Sequence, residues 1–128
     1  MNLEKYSERM RGFVQSAQQK ALSEGHQQFT PEHMLKILLD DEQGLAASLI
    51  DHSGGNAKQA LLATEVALGK LPKVSGGNSQ LYLSQPIAKV FETAEKVAKK
   101  AGDSFVTVER LLLALAMEKG ADTAKILA

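Results

Sequence analysis

The chain has 128 residues, 44% of them hydrophobic and 23% charged, and its 15 Lys and Arg balance 15 Asp and Glu to a formal net charge of zero. That composition supplies a core for one domain of ordinary size and speaks against disorder, and without a positive excess there is no long-range field to gather a nucleic acid. The absence of cysteine removes disulfides, thiolate metal sites and cysteine nucleophiles, and is compatible with a reducing cytosol.

The start, Met1-Asn2-Leu3-Glu4-Lys5, lacks the charged-then-apolar pattern of a signal peptide. No apolar run approaches the roughly 20 residues that span a bilayer, so a cytoplasmic protein without membrane contact is expected. Tyr6, Met10, Phe13, Val14, Ala17, Ala21 and Leu22 recur at steps of three and four, which predicts a first helix with one apolar stripe, stopped at Gly25. Thr30-Pro31-Glu32 predicts a restart, with a hydroxyl cap, a proline at the first helical position and a carboxylate at the positive helix end. Met34, Leu35, Ile37, Leu38 and Leu39 follow as its apolar run, ended by the acidic turn Asp40-Asp41-Glu42. Leu45 to Ile50 reads as a short third helix. Asn56 caps a fourth from about Ala57 to Leu68, with Ala60, Leu61, Thr64 and Leu68 as its stripe.

From Gly69 the character changes. Leu71-Pro72-Lys73-Val74-Ser75-Gly76-Gly77-Asn78-Ser79-Gln80 reads as an exposed connector. Ser84-Gln85-Pro86 opens another helix whose face is Ile87, Val90, Phe91, Ala94, Val97, Ala98 and Ala101, closed by Gly102. Thr107 caps a helix carrying Val108, Leu111, Leu112, Leu115 and Ala116, and Ala121 to Leu127 reads as a last short helix.

The second half repeats the first at an offset of 77 residues: Ser7 falls on Ser84, Ala17 on Ala94, Ala21 on Ala98, Gly25 on Gly102, Thr30 on Thr107, Glu32 on Glu109, Leu35 on Leu112 and Leu38 on Leu115. Shared stops and caps, beyond shared periodicity, make this a repeat. Two units are too few for an open solenoid. The expectation is an all-α domain of about eight helices, in which two repeats (about 1–68 and 84–128, joined by a connector at about 69–83) pack about a pseudo-twofold axis. The seam between them is a natural place for a groove.

Little in the pattern points to chemistry. His26, His33 and His52 stand in no metal-binding spacing, and the glycine-rich stretches Ser53-Gly54-Gly55-Asn56 and Ser75-Gly76-Gly77-Asn78 lack a phosphate-loop lysine. A small enzyme would need a perturbed acid–base pair in a pocket, and the spacing nominates none.

The pattern Ala17…Ala21…Gly25…Phe29-Thr30-Pro31-Glu32-His33-Met34-Leu35, returning as Ala94…Ala98…Gly102-Asp103…Phe105-Val106-Thr107-Val108-Glu109-Arg110-Leu111-Leu112, resembles the Clp N-terminal repeat domain that precedes the ATPase rings of Clp-type AAA+ unfoldases. The resemblance covers nearly the whole chain. Leu71-Pro72-Lys73-Val74-Ser75-Gly76 and Gly102-Asp103-Ser104-Phe105-Val106 look like the disaggregase branch. It implies a non-enzymatic, mobile module that engages unfolded or aggregated polypeptide and helps deliver it to an ATP-driven pore. The domain itself would hold no cofactor. ATP and Mg would belong to the parent's ATPase modules, and the parent would be a hexamer working with an Hsp70-type chaperone system through other domains.

The resemblance further implies a polar cluster at Ser7 (often Thr in the family), Asp103 and Glu109, beside an apolar groove to which Phe91 would contribute. Arg110 is a departure, standing where the repeat pattern often has His or an apolar residue, and would make such a groove friendlier to acidic segments. Each of these residues also has a plainer reading: Glu109 and Glu32 as helix-start carboxylates, Asp103 as a loop residue, Phe91 as core and Ser7 as a surface hydroxyl. Docking of a folded adaptor, as in the protease-associated branches, is the alternative function.

Overall fold

The computed structural model describes residues 6–26, 28–41, 44–71, 82–103, 105–119, 123 and 126–127. The first helix, α1 (Glu8–Ser23), starts where the Ser7 hydroxyl accepts the Met10 N–H at 3.1 Å. Of the stripe expected from sequence it buries Met10, Val14, Ala17 and Ala21, while Phe13 is half-buried and Leu22 is exposed. At its end Gly25 turns into the left-handed region (φ 77°), so that the His26 N–H reaches the Ala21 carbonyl at 2.9 Å and the Gly25 N–H reaches Leu22 at 3.1 Å. Those two bonds satisfy carbonyls that a helix end otherwise leaves open.

The second repeat builds the same piece from the same chemistry. In α5 (Gln85–Lys100) the Ser84 hydroxyl accepts the Ile87 N–H at 3.2 Å. Gly102 has φ 80°, and Asp103 N–H meets the Ala98 carbonyl at 2.9 Å. Two further helices correspond across the repeats, α2 (Pro31–Leu39) and α6 (Val108–Met117), while α3 (Leu45–His52) and α4 (Ala57–Gly69) complete the first repeat. Asn56 caps α4 through the Gln59 N–H, as expected. The two threonine caps differ from each other. Thr107 holds the N-cap position in extended backbone, but its exposed hydroxyl makes no capping bond. At α2 a capping box closes the start: the Thr30 side chain takes the His33 backbone N–H, as expected, and His33 Nδ1 accepts the Thr30 backbone N–H at 3.0 Å.

Six helices lie among the described residues. The connector tip (72–81) and most of the expected last helix (121–127) fall outside them. The last residues of the connector do more than link. Tyr82–Leu83 forms a short strand, β2, parallel to β1 (Gln28–Phe29), with Phe29 opposite Leu83. A matching parallel bridge joins Tyr6 to Val106. The partners are exchanged: the entry segment of each repeat pairs with the inter-helix turn of the other. Ser7 N–H donates to the Val106 carbonyl and Ser84 N–H to the Phe29 carbonyl, both at 3.1 Å.

Helices α1 and α2 pack together, as do α5 and α6; α2 meets α6 across the middle, and α4 lies on α2. One hydrophobic cluster therefore draws on both repeats, with Tyr6, Met10, Phe29, Met34, Leu35 and Leu38 from the first and Ile87, Val90, Leu111 and Leu115 from the second. Phe91 stands at the junction. Its ring meets Tyr6 edge-on, with centroids 5.8 Å apart, and Phe29 at 6.1 Å, so one side chain packs under both exchanged segments. The Tyr6 hydroxyl donates to Glu95 at 3.1 Å, and burial, followed by that carboxylate's charge, keeps the phenol protonated far above its usual range.

Phe91→Ala is expected to cost about 3–5 kcal/mol in urea unfolding, with the loss shared by probes in both repeats. A loss confined to α5 would show that the ring does not join the halves.

Candidate functional site

The five residues singled out in sequence occupy three kinds of position. Phe91 is 4% exposed and surrounded by core, which corrects the expectation of a groove residue: its face of α5 turns inward between Tyr6 and Phe29. Ser7 is half-buried, and its hydroxyl and backbone N–H are both engaged, one in capping α1 and the other in the bridge to Val106. Asp103, Glu109 and Arg110 cluster on the surface of the second repeat. Arg110 Nε donates to Asp103 Oδ2 at 2.7 Å, and each side chain is about one third exposed (31% and 32%). Glu109 is exposed in the first turn of α6, where a carboxylate is favoured by the helix dipole.

Glu109 and Arg110 also form one wall of an open cleft of about 490 Å³ at the seam between the repeats. Leu112, Leu113 and Ala116 of α6 continue that wall, with Leu127 beside them; Leu49 and Ile50 of α3 and the Ser53–Gly55 turn face it. Most of the lining side chains are apolar, and Leu113 among them is 44% exposed. The turn approaches α3 closely. A Cβ on Gly55 would stand 2.9 Å from Ile50 Cγ2 and 3.1 Å from its carbonyl oxygen, so glycine lets this loop fold back.

In the first repeat the corresponding face is covered. Glu32, Leu35 and Leu39 are buried, and Lys36 of α2 reaches Glu65 of α4 at 2.8 Å. A second cleft of about 380 Å³ lies there, lined by Lys20, Glu24, Lys36 and Glu65. Its charges are matched within the protein, Lys20 with Glu24 at 3.2 Å and Lys36 with Glu65, which leaves it little to offer a ligand. No group of three or more His, Cys, Asp or Glu able to hold a metal occurs among the described residues, and no described helix is long and apolar enough to cross a membrane.

The offset of 77 residues holds one correspondence that motif reading missed. Asp103 and Arg110 stand where the first repeat has His26 and His33. These two rings are also in contact, Nδ1 of His26 lying 2.8 Å from Nε2 of His33. Both pairs tie the glycine turn to the start of the following helix. They differ in environment, because His33 is fully buried and His26 is 3% exposed, whereas Asp103 and Arg110 face water.

Burial should therefore set what each pair is worth. Arg110→Ala is expected to cost less than about 1 kcal/mol, as half-exposed ion pairs do. His33→Ala, which strips a partner from the Thr30 N–H and from His26, is expected to cost about 2–3 kcal/mol. Urea unfolding of the two variants measures the contrast, and equal losses would break the argument.

The family model described as the Clp repeat (R) N-terminal domain matches residues 5–128. Chaperone protein ClpB of Rhizobium meliloti is 72% identical over 127 residues, 99% of this chain but 15% of the relative. ClpB of Rhodopseudomonas palustris is 62% identical over 128 residues, again 99% of this chain and 15% of the relative. Among solved structures, the Hsp104 N-terminal domain from Candida albicans aligns with a TM-score of 0.84 at 19% identity, covering 96% of this chain and 79% of that one. The N-terminal domain of the ClpV1 ATPase from E. coli aligns at 0.83 and 21%, covering 98% and 77%. A chain described as a peptide from the EAEC T6SS Sci1 SciI protein aligns at 0.84 and 20%, covering 98% and 80%. At these identities the solved structures establish the fold.

Proposed function

The chain belongs to the Clp repeat N-terminal domain family, and from that premise we propose that it is the substrate-engaging module of an ATP-dependent disaggregase, capturing exposed apolar segments of unfolded or aggregated protein. The observation that carries the reading is the 62–72% identity to chaperones named ClpB over nearly the whole chain. The parent would hold ATP and Mg in its ATPase modules, assemble as a hexamer and work with an Hsp70-type system through other domains. This domain would act in the cytoplasm as a non-catalytic hand that passes chain to the pore.

The seam cleft supports the reading. Its apolar lining of Leu49, Ile50, Leu112 and Leu113 suits aliphatic or aromatic side chains of any sequence, and Glu109 and Arg110 supply polar contacts at one wall. Burying one such side chain gains about 1.5–3 kcal/mol. Association costs at least about 4 kcal/mol, so three side chains at the upper end of that range leave roughly 4–5 kcal/mol, a dissociation constant on the order of a millimolar, and fewer leave weaker binding. Weak capture matches a task in which the captured chain must be released onward.

The second reading is docking of one folded adaptor. It draws on the fold shared with the ClpV1 domain and with the chain described by a SciI peptide. In that case binding would be tight and selective.

The test is a titration of the isolated domain with reduced, carboxymethylated α-lactalbumin, followed by NMR. Weak, saturable shifts at Leu49, Ile50, Glu109, Arg110 and Leu113 are expected, with Ser7 and Asp103 affected less because their bonds are internal. Absence of shifts with this unfolded chain would overturn substrate capture and leave adaptor docking.

A further inference from the structure

We propose that the buried His26–His33 pair is an acid-sensitive latch, which holds the first repeat's turn against α2 while both rings are neutral and releases it when either takes a proton. The geometry assigns the protons. The Thr30 backbone N–H can only donate, so His33 Nδ1, 3.0 Å away, accepts. A neutral His33 then carries its hydrogen on Nε2 and donates it to His26 Nδ1 at 2.8 Å. Thr30, His33 and His26 form one directed chain of hydrogen bonds.

A proton added to either ring breaks that chain. On His33 it would occupy Nδ1, which the Thr30 hydroxyl also meets at 2.8 Å: the hydroxyl would have to turn from donor to acceptor, and the buried Thr30 N–H would lose its acceptor and face a donor. On His26 it would occupy Nδ1 and face the His33 Nε2–H, with the same result. Water cannot step in while the rings stay packed, since His33 is fully buried and His26 is 3% exposed.

The charges on the packed elements are few. Glu24, the residue that caps the end of α1, lies 4.0 Å from His26 Nδ1 and favours a proton there, but it is shared with Lys20 at 3.2 Å. Glu32 of α2 is buried beside His33, and Lys36 of α2 pairs with Glu65 of α4. Burial first, then the charge of a protonated His26, push His33 down to about 4 from its ordinary 6.5 or so, with Glu24 opposing. The unfolded chain therefore binds a proton that the latched state refuses between these values. The latch is strongest above about pH 6.5 and weakens as pH falls toward about 4, by up to about tenfold in its opening constant per pH unit.

Release would be felt across the seam. Phe29, next to Thr30, is the residue whose carbonyl accepts from Ser84 and which pairs with Leu83 of the second repeat. The matching joint, Tyr6 with Val106, adjoins the other turn, which Asp103 and Arg110 hold with an ion pair that contains no histidine. Mild acid thus unfastens one of two equivalent joints and spares the other.

Amide hydrogen exchange, corrected for intrinsic rates between pH 7 and 5, reads this directly. Opening constants at Thr30, His33 and Ser84 are expected to rise about tenfold per pH unit below 6.5, while those at Ser7 and Asp103 change several-fold less. Imidazole nitrogen shifts of the same sample should show His33 protonated at Nε2 alone at pH 7. The double variant His26→Asp with His33→Arg, carrying the second repeat's pair into the first, is expected to lose the pH dependence if it folds. Equal acceleration at both joints, a flat profile in the native chain, or a His33 hydrogen on Nδ1 would each overturn the latch.

Discussion

The exchange of short strands between the repeats is the constraint on which the rest of the structure depends. A two-residue parallel pair contributes few hydrogen bonds, and an isolated one would not persist in water. Its effect is positional. By fixing Ser7 against Val106 and Ser84 against Phe29, it fixes where α1 and α5 begin, because each serine is also the N-cap of its helix. Once those starts are set, the stripes of α1 and α5 face the same interior, and Phe91 fills the space beneath both joints. The two halves share one core for that reason.

Most of the helical layout is legible in the amino-acid sequence, because its determinants are local. Asn56 and Ser84 cap where their side chains predict, and Gly25 and Gly102 adopt the positive φ that ends a helix. The strand pairs are not legible. Two residues are too short for an alternating pattern, and their partners lie in the other repeat. The threonine caps show a similar limit. Thr30 and Thr107 mark the right positions, but Thr107 makes no capping bond, and the reciprocal bond at Thr30 comes from His33, a residue type that no cap preference nominates.

The site was partly legible. Glu109 and Arg110 do border the seam cleft, whose apolar side chains on α3 no motif had nominated. Phe91 could not be told from a groove residue, since an apolar face looks the same whether it meets a neighbour or water. The equivalence of His26–His33 with Asp103–Arg110 was available at the same offset that revealed the repeat. It went unseen because two histidines and an ion pair share no chemical type. Contact geometry supplied the common role, a tie across a glycine turn, that residue type concealed. The asymmetry has a physical sense: a neutral pair suits the turn that is buried, and a charged pair suits the one that meets water.

The exchanged joints also set an order for assembly. Tyr6 is made early, but the residue it pairs with, Val106, is among the last parts of the domain to leave a ribosome. The first repeat can form its helices and close α1 on α2 from local contacts, yet its entry segment and the ring of Tyr6 must wait for Phe91 and Val106. Pairings so distant along the chain slow folding, since their closure entropy is lost before any contact repays it. A nascent chain that stops before the second repeat would hold an open edge at Phe29, itself the kind of exposed apolar segment that chaperones take up.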